Sequence, residues 1–264
     1  MNAVRSHLAE LNHYRDLLFS VGVRTIKVRY KQSYLGLGWA IIQPVATMVV
    51  FSIVFGTWAK VGSDDIPYPV WSLAALLPWT FFNSAVGTGS QILVANANLI
   101  RKAYFPREVL LIAAVFGALF DTVIAFGLFV IMAVWNGYAP GVEYLMLLPV
   151  MFVAALFALG VCLFLAPMNV FYRDIRHAVP LVLNLWLFAS PIAYPMSKVP
   201  GKWQVLYSLN PITGIVESFR AAVFPEKVAF DPYLFALSAE IAVFVFVLGY
   251  LFFKRAERTF ADLI

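Results

Sequence analysis

The sequence predicts an all-α integral membrane protein with six transmembrane helices. Three observations carry that prediction. Of 264 residues, 62% are hydrophobic and 12% charged, and the mean hydropathy is +0.83. A domain folded in water carries roughly 45–50% apolar and about 25% charged residues. The apolar residues are gathered into six stretches close to the ~20 helical residues that cross a hydrocarbon core. Finally, fourteen of the nineteen Lys and Arg fall on alternate connections between those stretches.

The chain begins with a basic segment, residues 1–34, whose Leu8, Leu11, Tyr14 and Leu18 share one side at helical spacing. This pattern predicts an amphipathic helix lying on the cytoplasmic face. Arg5, Arg15, Arg24, Lys27 and Arg29 interrupt it too often for a signal peptide. The remaining residues, 35–264, form the transmembrane domain. Its predicted spans are Gly36–Trp58, Pro69–Val94, Val109–Trp135, Tyr144–Met168, Ala178–Tyr194 and Tyr233–Phe253. The positive-inside rule places the N-terminal segment, the second and fourth connections and the tail in the cytoplasm. Both termini then lie inside.

Between the fifth and sixth spans, Trp203–Phe224 is apolar and nearly long enough to cross. Asn210-Pro211 breaks it, and Glu217 and Arg220 sit in its second half. Proline removes a backbone donor and clashes within a helix. The pattern predicts two short re-entrant helices near residues 200–226 that dip in from the outer side. Broken helices survive at membrane depth only where protein or water satisfies their backbone.

Catalytic signatures are missing from the sequence. It holds no G-x-x-x-x-G-K-[ST] phosphate loop, so the chain is not expected to hydrolyse ATP by itself. His7, His13 and His177 lack metal-ligand spacing. Cys162, the single cysteine, cannot form an intrachain disulfide. The net charge of +5 is explained by cytoplasmic loops rather than by nucleic acid.

Polar residues within the spans mark a possible path or close helix packing: Gln43, Asn83 and the carboxylate Asp121. Trp39, Trp79, Trp186 and Tyr194 belong to an abundant aromatic set whose default role is an interfacial belt. The second connection, Asn96–Glu108, mixes basic Arg101, Lys102 and Arg107 with Leu99, Ile100, Tyr104 and Phe105. Those apolar groups either bury against the bundle or dock in a partner's groove. Pro106 ends a short helix there.

The run Asn98-Leu-Ile-Arg-Lys-Ala-Tyr-Phe-Pro-Arg107 resembles the coupling segment of membrane subunits of type-2 ABC exporters. The most similar branch exports O-antigen and related polysaccharides; teichoic acid exporters are its cousins. Arg29-Tyr-Lys-Gln-Ser-Tyr-Leu-Gly-Leu-Gly-Trp39 with Gln43-Pro44 resembles the family's lead-in to its first span. Asn169-Val-Phe-Tyr-Arg-Asp-Ile-Arg176 resembles its second cytoplasmic loop, and Ser190-Pro-Ile-Ala-Tyr-Pro195 with Asn210-Pro211 and Glu217-x-x-Arg220 its outer gate. The resemblance implies a permease homodimer in the inner membrane, paired with two ATP-binding subunits that carry ATP and Mg, and moving a lipid-linked polysaccharide. Asn98 to Arg107, with Tyr172, Arg173, Asp174 and Arg176, would contact the ATPase. Asn210, Pro211, Glu217 and Arg220 would form the outer gate, and Trp39, Trp79, Trp186 and Tyr194 become candidate sugar contacts. Competing expectations are export of teichoic acid, a drug or a small lipid, an enzyme acting on lipid-linked sugars, and an ion channel.

Overall fold

A computed structural model describes residues 22, 34–102 and 105–260, and among them there are helices and no strands. The expected N-terminal interfacial helix and Tyr104 lie outside the described residues. From residue 34 on, the described α-helices run in the order α1 (Gly38–Phe51), α2 (Tyr68–Gly89), α3 (Ile92–Ala95), α4 (Ala97–Lys102), α5 (Glu108–Trp135), α6 (Leu147–Phe171), α7 (Ile175–Phe188), α8 (Gly201–Ser208), α9 (Pro211–Val223) and α10 (Pro232–Phe260). A π-helical stretch, Ser52–Trp58, prolongs α1, and a 3-10 turn, Val142–Met146, leads into α6.

Among the described residues, four helical segments are long and apolar enough to cross a bilayer: Gly38–Trp58, Glu108–Trp135, Val142–Phe171 and Pro232–Glu257. They coincide with the first, third, fourth and sixth predicted spans. The other two stretches fold differently from a simple span. The fifth becomes α7, whose 14 residues reach about 21 Å, against a hydrocarbon core of about 30 Å. It stops before Ser190-Pro191, where the chain turns away. The second becomes α2, which carries Ser72, Thr80, Asn83, Ser84 and Thr88 among its apolar residues.

That polarity goes with position. Sixteen of the 22 residues of α2 are buried, and it packs against α1, α5, α6 and α9 at the centre of the bundle. A helix enclosed by other helices can carry hydroxyls and amides that bond inward, which a lipid-facing helix cannot. Phe82 of α2 stacks on Phe157 of α6 with centroids 5.1 Å apart, and Trp186 meets both rings edge-on.

Helix α10 lies along α6 at backbone contact. A Cβ added to Gly160 would fall 2.7 Å from the Phe246 nitrogen and 2.8 Å from its Cα. Gly249 faces the Gly160 carbonyl from the other helix, and Phe164 stacks on Phe252 at 4.5 Å. In lipid, where apolar surface gives no drive for helices to associate, such close packing holds them together. Gly160→Val is therefore expected to separate α6 from α10 and to lower the melting temperature in mild detergent, because overpacking a fitted contact costs about 1–3 kcal/mol. An unchanged melting curve would show that the seam is not tight.

The break falls at Asn210-Pro211, where the sequence placed it, and its capping chemistry is added by the structure. The Asn210 side chain caps α9 by accepting from the Ile212 backbone N–H at 3.1 Å, and Pro211 occupies the first helical position, where no N–H is needed. Asp231 does the same for α10, accepting from Tyr233 and Leu234 at 3.0 and 3.1 Å. Helix α9 is buried among α2, α6 and α10.

Candidate functional site

Helices α1, α2 and α5 line an open cavity of about 410 Å³ in which polar side chains stand among apolar ones. Four of the sequence-predicted path residues meet there: Trp39 and Gln43 from α1, Asn83 from α2 and Asp121 from α5. The spacing explains the convergence. Trp39 and Gln43 are one helical turn apart, as are Thr80, Ser84 and Thr88 in succession, so each set shares a face. Thr80, Ser84 and Thr88 line the cavity too; they were missed because single hydroxyls in a span carry no pattern of their own, although their four-residue spacing was visible. The α1 side is open: Trp39 is 51% exposed. The cavity offers hydrogen-bond acceptors, donors and one carboxylate beside an indole face, a combination suited to a hydroxyl-rich ligand rather than to an acyl chain.

Trp79, Trp186 and Tyr194 lie elsewhere. Trp79 is buried against Phe82 with centroids 5.9 Å apart. Trp186 donates its indole N–H to Asn210 Oδ1 at 3.1 Å. Tyr194 donates to the Phe188 carbonyl at 2.6 Å, and its oxygen is 2.7 Å from that of Tyr207. These three rings hold the bundle and the loop after α7.

That loop belongs to a second polar centre, built on Arg220. The guanidinium is fully buried and lies 3.5 Å from the centroid of the Trp71 ring. Nη1 donates to the Pro191 carbonyl at 2.8 Å and to Glu217 Oε1 at 2.9 Å, and Nη2 donates to the Ile192 carbonyl at 2.9 Å. The planar donor fork of arginine suits this arrangement, since one side chain satisfies two carbonyls left free by the end of α7. Tyr68 donates to the next carbonyl, Ala193, at 2.6 Å, and Asn210 Nδ2 donates to Ser190 Oγ at 2.9 Å. Trp71 is fixed in turn: its indole N–H donates to Asp64 Oδ2 at 3.1 Å. Asp64 and Asp65 both hold left-handed φ, at 52° and 57°, a conformation that aspartate tolerates better than most residues. Of the set expected at the outer gate, Arg220 and Asn210 bond to the loop of residues 190–192 and Glu217 bonds to Arg220, which together make a latch on that loop, while Pro211 only starts α9. Ser190, from the expected Ser190–Pro195 run, completes it with Tyr68, Trp71 and Asp64, and the long sequence separation of these last three hid them.

The second connection splits into an outward and an inward part. Asn98, Arg101 and Lys102 of α4 are exposed, Leu99 and Ile100 are half-buried against the core, and Phe105 is 6% exposed. Phe105 therefore anchors the segment to the bundle while Asn98, Arg101 and Lys102 face outward; Arg107 is turned inward onto the Glu257 carbonyl at 3.1 Å. In the fourth connection, Tyr172, Arg173 and Asp174 fall at the turn between α6 and α7 and Arg176 in the first turn of α7; all four are exposed. Arg176 Nε donates to His177 Nε2 at 3.0 Å.

Comparison with known proteins agrees with this architecture. The ABC-2 type transporter family matches residues 16–224. The chain is 31% identical over 258 residues to the O-antigen export system permease protein RfbA of Myxococcus xanthus, covering 97% of this chain and 98% of that protein. A protein of the same name from Klebsiella pneumoniae is 28% identical over 263 residues, with 96% and 97% covered. The polysialic acid transport protein KpsM of Escherichia coli is 24% identical over 204 residues, with 77% and 79% covered. With four apolar segments of spanning length and a family match over most of its length, the chain is a multi-pass membrane protein that belongs to the ABC-2 type transporter family.

Proposed function

We propose that the chain is the permease subunit of an ATP-driven exporter of a lipid-linked polysaccharide of the O-antigen type. The observation that carries this reading is the alignment over nearly the full length of relatives named as O-antigen export permeases. The polar cavity supports it, because a glycan crossing a bilayer needs hydroxyl-compatible groups at a depth where lipid offers none. Trp39, Gln43, Asn83 and Asp121 are the path residues in this reading.

The chain crosses the inner membrane six times with both termini in the cytoplasm, α2 and α7 serving as the second and fifth spans and α8 and α9 re-entering from outside. Two copies pair, with the open α1 side of the cavity facing the path between them. Glu240, exposed within α10, is consistent with a protein or aqueous neighbour on that face, since a carboxylate facing lipid is costly. Two ATP-binding subunits, which hold the ATP and Mg, dock on Asn98, Arg101 and Lys102 and on the Tyr172–Arg176 turn. Nucleotide binding then biases the two states of the membrane pair by the difference in its affinity for them. The Arg220 latch holds the outer loop in one of those states.

Deletion of the gene with its neighbours intact is expected to leave lipid-linked glycan on the inner leaflet and to strip it from the surface. Surface glycan at its normal level in a clean deletion would reject this function.

A further inference from the structure

The cytoplasmic end of α10 is fastened to the residues that follow the proposed docking segment. Helix α10 has 29 residues and so reaches about 43 Å, well beyond a hydrocarbon core of about 30 Å. Its last turns lie beside the start of α5. Arg107 Nη1 donates to the Glu257 carbonyl at 3.1 Å and lies 3.7 Å from the Glu257 carboxylate. Lys254 Nζ is 3.1 Å from Glu257 Oε2 and pairs with Glu108. These side chains are partly sheltered, between 10% and 31% exposed, and Phe253 beside them is fully buried. A lone pair at a surface would fix little. Here two cations and two anions from two helices interlock, and a backbone carbonyl joins them, which sets the geometry of both chains.

The other end of α10 is fastened to the latch helix. A Cβ on Gly214 of α9 would fall 2.7 Å from the Leu234 carbonyl and would collide with Ser238 Oγ of α10. Between these two ends α10 runs in backbone contact with α6. One continuous helix therefore touches both the base of the docking segment and the helix that carries Arg220.

We propose that the cluster of Arg107, Glu108, Lys254 and Glu257 positions the docking segment on α10, and that α10 carries displacement of that segment across the membrane to α9. This inference rests on the reading of Asn98, Arg101 and Lys102 as the ATPase contact. Glu108 and Lys254 are positioning residues and touch neither nucleotide nor glycan.

The test uses the whole chain assembled with its ATP-binding partner. Glu108→Lys and Lys254→Glu are each expected to lower glycan export per ATP hydrolysed by about tenfold, within the ordinary range of coupling between sites. The partner should still co-purify, and its ATP hydrolysis should change little. The double exchange, E108K with K254E, should restore most of the export. Wild-type coupling in both single variants, or a double variant no better than the worse single, would overturn the proposal. Should the reversals fail to accumulate in the membrane, Glu108→Gln and Lys254→Met give the same readout, and wild-type coupling in both overturns it equally. Arg101→Glu combined with Lys102→Glu reads the docking surface separately. Retained partner binding in that variant rejects the docking reading, whereas lost binding together with silent cluster variants rejects the positioning role alone.

Discussion

Arg220→Met is expected to produce the largest loss of stability of any single substitution in this chain, on the order of 3–5 kcal/mol. Methionine fills much of the same volume, so the loss arises from what the guanidinium leaves behind. Glu217 would remain without its partner, at 2.9 Å in the native protein, and the Pro191 and Ile192 carbonyls would lose donors at 2.8 and 2.9 Å. Each uncompensated buried acceptor costs about 1–3 kcal/mol, more for a charged one. The Trp71 face would also lose the cation that covers it. The melting temperature of the purified protein in mild detergent measures the effect. The double variant Arg220→Met with Glu217→Met should recover part of the loss, because removing both charges avoids the isolated carboxylate. Equal melting of Arg220→Met and the native protein would mean that the latch does not hold the outer loop.

Phe105→Asp is expected to leave the bundle folded and to abolish coupling to the ATPase. Phe105 is buried under the docking segment and makes contact with the core. Losing a buried phenyl ring costs about 3–5 kcal/mol, and an aspartate there would add the cost of desolvating its charge. The site lies at the cytoplasmic end, so the segment can release that cost by swinging into water without unfolding the spans. Membrane levels should then stay near normal while co-purification of the ATP-binding subunit and export both fall. Phe105→Leu, which keeps the anchor apolar, should retain most of each. Normal export in Phe105→Asp would show that the segment needs no anchor.

The features legible in the sequence were those written in local chemistry. Four spans were legible as apolar runs, and the break before α9 was legible because Pro211 cannot continue a helix, a short-range rule. The order of packing was not legible. In a membrane, core and lipid are both apolar, so hydropathy does not say that α2 is central. The clue was its extra polarity, Thr80, Asn83, Ser84 and Thr88, which reads from sequence as a weaker span. Aromatic content likewise gave no direction. Trp39 faces a cavity, while Trp79 and Trp186 close the core. Arg220 was legible as an unusual charge. The resemblance already grouped it with the run that holds Pro191 and Ile192, whereas the Trp71 ring comes from a distant part of the chain and only the fold brings it beneath Arg220.

The end of the first span has a consequence for the latch. Ser52–Trp58 is wound with five-residue hydrogen bonds, as in the bond from the Ala59 N–H to the Val54 carbonyl at 2.9 Å. Its wide turns let Gly56 sit against the Tyr68 ring, with a Cβ there falling only 3.0 Å from Tyr68 Cγ. A π turn packs more residues into each revolution than an α turn does. Rewinding this stretch to α pitch would lengthen the helix and swing Trp58 around its axis. The loop beyond it ends on Tyr68 and contains Asp64, the residue that steadies Trp71 beneath Arg220. The winding of this one helix thus sets where the loop that carries Asp64 begins.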